Sequence, residues 1–387
     1  VSDKHTLTIL HIIAVNGIGG AEKLLVTLLP ALLEKGTQAT CLLFYTSPYL
    51  PDAKSIGAAL AQKGIPIIYR EYSGIFQQAN LSFIAATIQS QSPDVVHVHL
   101  KHAEIWIALL KVFGKVKQPV VATLHGYRDQ YHSVHGLQWN SRGKFSPYYW
   151  LSRFAASRID RFISISNGVA RFFMASGMVA KEKMKTIYHG TTVDDIHLVP
   201  RQQADPDFVV IGRLVGFKGH RYALEAMTIL AKKYPQAQLH FYGVGPEEES
   251  LRQMTTALGL EANVIFHGFV ENLKEKLPDH SIALMPSIGE PFGLVFFDAF
   301  KAGLPVVAFD LPAGNEIIQD KENGLLANPL DAASLAARVE ELLQDAELFQ
   351  STRQKAIAVL KDHFTIGQMA ERYIDFYRET VEVTGKK

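Results

Sequence analysis

Strand-like and helix-like hydrophobic patterns alternate along almost the whole chain, and this alternation limits the fold more than any other feature. Leu7 to Val15 reads as a buried strand and Ala21 to Leu33 as a helix, joined by Asn16-Gly17-Ile18-Gly19-Gly20. Apolar runs at Ala39–Phe44, Ile65–Tyr69, Val95–Val98, Val120–Leu124 and Phe162–Ile165 follow, with helical spacing at Leu81–Gln89 and Ile105–Val112. Such a succession predicts α/β architecture with parallel sheets covered by helices, in which ligands arrive beyond the carboxyl ends of the strands. At 387 residues the chain is long for one core and comfortable for two. With 48% apolar and 20% charged residues it can bury both.

The second half repeats the pattern with more chemistry in its turns. Phe208–Ile211 is a strand, and Gly212 to Gly219 separates it from a helix that begins near His220. Arg213 and Lys218 in that glycine-containing turn suit a diphosphate, the first as a fork and the second as a point charge. A basic, solvated loop is the plainer alternative. Two later strands run into glycine turns at Gly243 and at Gly268 to Val270.

Ile282 to Met285 then forms a short strand, and the turn after it delivers Glu290. Pro291 suits the first turn of a helix carried by Leu294, Val295, Phe297 and Phe300, and Gly303 and Pro305 stop it. The N–H groups around Phe292, Gly293 and Leu294 would lack internal partners at the positive end of the helix dipole, where an anion can sit. Gly293 permits close approach, Glu290 lies on the lip, and Asp298 falls roughly 12 Å further along a regular helix. A capped helix whose acids complement its dipole is the bland alternative.

Several chemistries are disfavoured. Gly17-x-Gly19 invites a dinucleotide site, but Glu22 holds the third glycine position and the second strand ends without a ribose-binding acid. Asp205-Pro206-Asp207 has the Asp-x-Asp form of a metal pair, yet precedes its strand and reads as linker. His97 and His99 share a strand face, but two histidines without a third ligand are more often structural than metal-binding. The single Cys41 excludes a disulfide and reads as a buried thiol. The amino-terminal stretch lacks a signal-peptide layout, and no run reaches the ~18 apolar residues of a spanning helix.

A net charge of +1 argues against nucleic acid, but Lys111 to Arg161 carries nine Lys and Arg against two Asp, a local +7. Tyr131, Trp139, Phe145, Tyr148, Tyr149, Trp150 and Phe154 lie within it. Aromatic and basic residues together suit an anionic bilayer or a glycolipid head group, and a buried aromatic subcore with solvated charges fits equally.

The segment EPFG with its two acids, the basic glycine turn and the GGAE at Gly19 to Glu22 make the chain resemble the family 4 retaining glycosyltransferases, which share the GT-B fold of two facing Rossmann-like domains. The resemblance spans nearly the whole chain and is strongest from Phe208 to Ile318. Their Glu-x7-Glu pair reads here as Glu290 and Asp298, the second shortened by one methylene. It implies a donor-sugar contact for Glu290, a ribose contact for Asp298, and a diphosphate held by Arg213 and Lys218. Gly19, Gly20, Gly243, Val270, Phe292, Gly293 and Leu294 would line the donor, and His125, directly after a strand, would lie near the reacting sugar. A satisfied loop histidine is the alternative for His125.

The resemblance further implies an acceptor-binding domain over 1–194, a nucleotide-sugar domain over 195–365, and a terminal helix over 366–387 that returns to the first domain. It implies transfer with retention by front-face attack, from a UDP-sugar or alternatively GDP-mannose, to a glycan or lipid-linked acceptor in polysaccharide or glycolipid assembly. No cofactor or metal is called for, because cations and a helix terminus already offset the phosphate charge. The location expected is the cytoplasm, peripheral to the inner face of the membrane. The rival from another class is a catalytically weak nucleotide-sugar-binding protein that acts through a partner, which the altered Asp298 encourages.

Overall fold

In this computed structural model residues 6–126, 144–194, 196 and 206–385 are described, and every strand pairing among them is parallel. They form two units, one built from 6–126, 144–190 and 366–385, the other from 191–194, 196 and 206–365.

The first unit holds β1 (Thr8–Val15), β2 (Gln38–Tyr45), β3 (Ile67–Glu71), β4 (Val95–His99), β5 (Val120–Leu124), β6 (Arg161–Ser164) and β7 (Met184–Thr186). They form one sheet in the order β3-β2-β1-β4-β5-β6-β7. The order reverses beside β1, between β1 and β4, which is the switch point where such sheets open a crevice at their carboxyl ends. β4 and β5 are buried along their whole length, as strands under helices on both faces should be, and β4 takes His97 and His99 into the interior with it. The helix Gly20–Glu34 buries Leu24, Leu25, Leu28, Leu29 and Leu32 at helical spacing, each contributing roughly 1.5–3 kcal/mol. The terminal helix Ile366–Gly385 belongs to this unit, where Met369, Ala370, Tyr373 and Tyr377 join the same core and Glu371 meets Lys35 at 2.6 Å.

The second unit holds β8 (Asp207–Ile211), β9 (Gln238–Tyr242), β10 (Val264–Gly268), β11 (Ile282–Met285), β12 (Val306–Phe309) and β13 (Leu325–Ala327). Their order is β10-β9-β8-β11-β12-β13, again with a switch, here between β8 and β11. Phe208, Leu239, Phe241, Leu284 and Val307 meet Leu224, Leu230, Leu335 and Val339 in its core.

Two helices differ from the sequence pattern. Leu50–Ala61 has no sustained stripe of large apolar residues, and buries only Ala53, Ile56, Gly57 and Leu60. Its Gly57 admits the Tyr69 hydroxyl, which an added Cβ would meet at 1.9 Å. Pro147–Arg158 lies where the sequence pattern breaks, and is anchored by Tyr149, whose hydroxyl donates to the Ser176 carbonyl at 2.8 Å. The remainder of that aromatic and basic stretch, including Tyr131 and Trp139, and the linker through Asp205 lie outside the described residues.

Candidate active site

At the carboxyl edge of the second sheet, the turns after β8, β9 and β11 press backbone on backbone. Gly243 has φ +150°, and a Cβ on it would fall 1.9 Å from the Gly212 carbonyl oxygen. Gly219, at φ +72°, stands in the same relation to the Pro286 oxygen, and Gly245 would meet the Leu214 oxygen at 2.3 Å. Any side chain at these points would force the turns apart. Hydrogen bonds hold them together: Leu214 N–H donates to the Val244 carbonyl at 3.0 Å, and Ile288 N–H to the Phe217 carbonyl at 2.7 Å.

This contact brings Lys218 and Glu290 together. The sequence alone gives them separate roles, one on phosphate and one on sugar, whereas in the structure they form an ion pair with each side chain only 12% exposed. Two positive-φ glycines make room for it. A Cβ on Gly212 would lie 3.3 Å from Lys218 Cε, and one on Gly293 would lie 3.3 Å from Glu290 Cγ. A pair so far withdrawn from water costs about 3–5 kcal/mol to break from one side, because the other charge is left stranded.

The helix after β11 starts later than its sequence suggests. It runs Leu294–Lys301 with Gly293 at its cap, at φ +96°, and Pro291 and Phe292 precede it. A side chain at Gly293 would strike the Phe296 ring at 2.6 Å, so the left-handed entry is built on glycine and Pro291 cannot open the helix. The Phe292 ring is buried with Phe297 and Phe364, at centroid distances of 5.5 and 6.4 Å. Phe296 N–H closes onto the Gly293 carbonyl at 3.0 Å, and Leu294 and Val295 present the first-turn N–H groups without an intrahelical acceptor. Phe296, Phe297, Ala299 and Phe300 turn into the core, which leaves Asp298 on the exposed side. Arg213 is exposed beside Gly212, and Val270 lies half-buried just past Gly268, where φ is +70°.

In the first unit Gly19 caps the helix Gly20–Glu34, and its N–H donates to Glu22 Oε2 at 2.9 Å. Glu22, the residue that spoils the dinucleotide pattern, is thus a buried helix cap whose pKa is raised by desolvation. A Cβ on Gly17 or Gly20 would meet nothing within 4 Å.

His125 follows β5 and ends a line of imidazoles. Its Nε2 lies 3.1 Å from His99 Nδ1, and His99 Nε2 lies 3.0 Å from His11 Nδ1. The third histidine that His97 and His99 lack in sequence is His11, which pairs with His97 across β1 and β4. His97 nevertheless spends both nitrogens on hydroxyls, Tyr377 at 2.7 Å and Thr123 at 2.8 Å, so hydrogen bonding accounts for it without a metal. Burial pushes His125 and His11 down to about 3 and the neighbouring His189 to about 4. At neutral pH His125 is therefore an uncharged hydrogen-bonding group. Its Nδ1 is buried without a hydrogen-bond partner among the described residues.

Comparison with known proteins gives the family and the fold. Residues 18–195 match the family described as Glycosyltransferase Family 4, and residues 197–359 match Glycosyl transferases group 1. The uncharacterized glycosyltransferase MJ1607 of Methanocaldococcus jannaschii is 24% identical, covering 87% of this chain and 89% of that one. The lipopolysaccharide core biosynthesis glycosyltransferase LpsE of Rhizobium meliloti is 26% identical, over 50% of this chain and 57% of its own. Among solved structures, Anabaena Alr3699/HepE in complex with UDP superposes with a TM-score of 0.79 at 21% identity, covering 96% of this chain and all of that one. The same protein in complex with UDP-glucose gives 0.76. These superpositions establish the GT-B fold.

Proposed function

This chain belongs to glycosyltransferase family 4 and is a retaining, hexosyltransferase-type enzyme, and from that premise we propose that it moves a sugar from a UDP-sugar to a glycan or lipid-linked acceptor in cell-surface polysaccharide or glycolipid assembly. The buried Lys218–Glu290 pair carries the proposal, because it sets a cation and a carboxylate side by side where the strands β8 and β11 end. HepE, with UDP-glucose, and LpsE, with its lipopolysaccharide core role, support the donor and acceptor classes.

In this account the diphosphate lies against the Leu294 and Val295 N–H groups, with Lys218 and Arg213 on its remaining oxygens. As the glycosidic bond to the leaving UDP breaks, negative charge grows on the diphosphate. Donors already in place then stabilise the transition state more than the donor sugar. Glu290 accepts from sugar hydroxyls and holds Lys218 in position meanwhile. Asp298 reaches the ribose, and the backbone near Gly243 and Val270 flanks the base. In the first domain Gly19, Gly20 and His125 serve the acceptor and the reacting sugar, His125 as a neutral hydrogen-bonding group.

The donor class is tested by thermal shift with a panel of nucleotide sugars. A ligand at 100 times its dissociation constant adds about 2.7 kcal/mol, so a UDP-sugar should raise the melting temperature and a GDP-sugar should not. Turnover should survive excess chelator, since cations of the protein offset the phosphate charge. Activity that only magnesium or manganese restores contradicts this.

We also propose that the enzyme docks on an anionic membrane surface. No helix among the described residues is long and apolar enough to cross a membrane, whereas Phe113, Phe145 and Trp150 are exposed with Lys115, Lys117, Lys144, Arg153 and Arg158. Tyr149 is committed to the core and Lys111 is paired with Asp160, so fewer of these groups are exposed than the sequence count suggests. Each basic residue near such a surface contributes about 1 kcal/mol, and the attraction fades with salt. Flotation with phosphatidylglycerol vesicles at low salt should carry the protein up; failure to float with the fold intact excludes this docking.

A further inference from the structure

Asp207 opens β8, His240 lies in the adjacent β9, and His280 comes just before β11 on the other side of β8. The three residues meet although 33 and 40 positions separate them in sequence. One ligand atom from each lies within 4.8 Å of the other two. His240 and His280 are only 8% and 9% exposed, and His240 Nε2 and His280 Nδ1 are buried without a hydrogen-bond partner among the described residues.

The outer nitrogens of both rings are held. His240 Nδ1 lies 2.8 Å from His267 Nε2, and His280 Nε2 lies 3.2 Å from the Tyr242 hydroxyl. Tyr242 and His267 in turn stack at 4.3 Å, nearly parallel. If each outer nitrogen gives its proton to its partner, the inner His240 Nε2 and His280 Nδ1 are lone pairs. Asp207 Oδ1 stands 4.0 Å from His240 Nε2, too far for a hydrogen bond. Two buried lone pairs without a donor, with a carboxylate oxygen beside them, make a donor set that a cation can join. Rings fixed through the second nitrogen are also how proteins orient histidine ligands of metals.

We propose that Asp207, His240 and His280 form a site for a divalent transition-metal ion, zinc being the representative case, with solvent completing the coordination on the half-buried Asp207 side. An ion central to three atoms at this spacing would lie ~2.5 Å from each, and closing by a few tenths of an ångström reaches the ~2.0–2.2 Å of zinc bonds. Two imidazoles and a carboxylate are a donor set that zinc and its neighbours accept. Asp207 is at the amino end of β8, roughly 15 Å of strand from the Gly212 turn, so the ion ties β8, β9 and the approach to β11 together and takes no part in transfer.

The test is calorimetric titration of the metal-free full-length protein with zinc against a competing chelator, together with melting curves. One equivalent should bind and raise the melting temperature. His240→Gln with His280→Gln should abolish that binding, and Asp207→Asn should weaken it at least tenfold without unfolding a half-buried position. Cobalt should give the visible absorption of a low-coordinate site, lost in the same variants, while His11→Gln leaves both signals intact. The proposal is overturned if the wild type binds no stoichiometric zinc, or if Asp207→Asn and the double variant bind it as the wild type does.

Discussion

A methyl group added at Gly17 or Gly20 in the first unit would meet nothing within 4 Å, whereas one added at Gly219 or Gly243 in the second would fall 1.9 Å from a backbone oxygen. Both sets of glycines follow strands of a parallel sheet and look alike as letters. In the second unit they let three turns pack against one another, and that packing sets Lys218 beside Glu290. In the first they lie in the turn after β1 and at the first position of the following helix, where no such contact forms. Glycine thus serves packing in the second unit, whereas in the first it serves the backbone at Gly17, where φ is +116°, and leaves open space at Gly20.

The largest effect expected from this contrast is structural. Gly243→Ala should lower the melting temperature of the second unit by ~6 °C or more, since a backbone clash and a positive φ together cost at least ~3 kcal/mol, and 1 kcal/mol shifts a unit of this size by ~2–4 °C. An unchanged melting curve would mean that the turns are not pressed together. Next comes Lys218→Ala, which should cut turnover well over tenfold and also lower stability, because Glu290 is left buried and unpaired. Adding Glu290→Gln should recover stability but not turnover. Recovery of both would remove the pair from the chemistry.

Acid should weaken both units, since burial also lowers His220, His240, His267 and His280 in the second, and the first carries the larger set. Burial holds His11, His97, His99, His125 and His189 below the ordinary value of 6.5, the first to about 3 and the last to about 4. Their folded pKa lies below the unfolded one, so only the unfolded state takes up protons as the pH drops from 6.5 towards 4. Stability is then full above pH 6.5 and falls across that window, by up to ~1.4 kcal/mol per pH unit for each ring. Melting of the first unit followed from pH 7.5 to 4.5 checks this, and a flat profile would contradict it. The buried hydroxyls of Tyr373 and Tyr377, raised by the same desolvation, stay protonated throughout.

Smaller effects test the edges of the site. Asp298→Glu should be tolerated and Asp298→Ala should weaken donor binding; equal affinity of alanine and aspartate for the nucleotide would place Asp298 outside the site. Gly20→Ala should leave the fold intact or add ~0.4–1 kcal/mol. A loss of activity in that stable variant would then report on ligand approach alone.

Much of this was legible in the chain because the fold is written in local patterns. Apolar strands, glycine turns and capped helices each occupy a short window, and the parallel order follows from their alternation. What sequence does not contain is which turns touch. Lys218 and Glu290 are 72 residues apart, and their pairing depends on Gly219 meeting Pro286. His11 stands alone in β1, and only strand register sets it against His97. Pro291 signals a first turn because proline favours that position in general, while here Gly293 takes a left-handed conformation that a proline two residues earlier does not reveal. Asp207 reads as linker in sequence because it precedes the apolar run, whereas in the structure it opens β8.

The central claim is that the turns of the second unit hold the donor by its diphosphate. It is tested most directly by calorimetric titration with UDP and with uridine, on the wild type and on Arg213→Ala, a substitution at an exposed position that spares the buried pair. UDP should bind the wild type far more tightly than uridine does, and Arg213→Ala should narrow that gap at least tenfold with uridine affinity unchanged. A wild type that binds UDP and uridine alike, or a variant that keeps the full gap, would contradict the account.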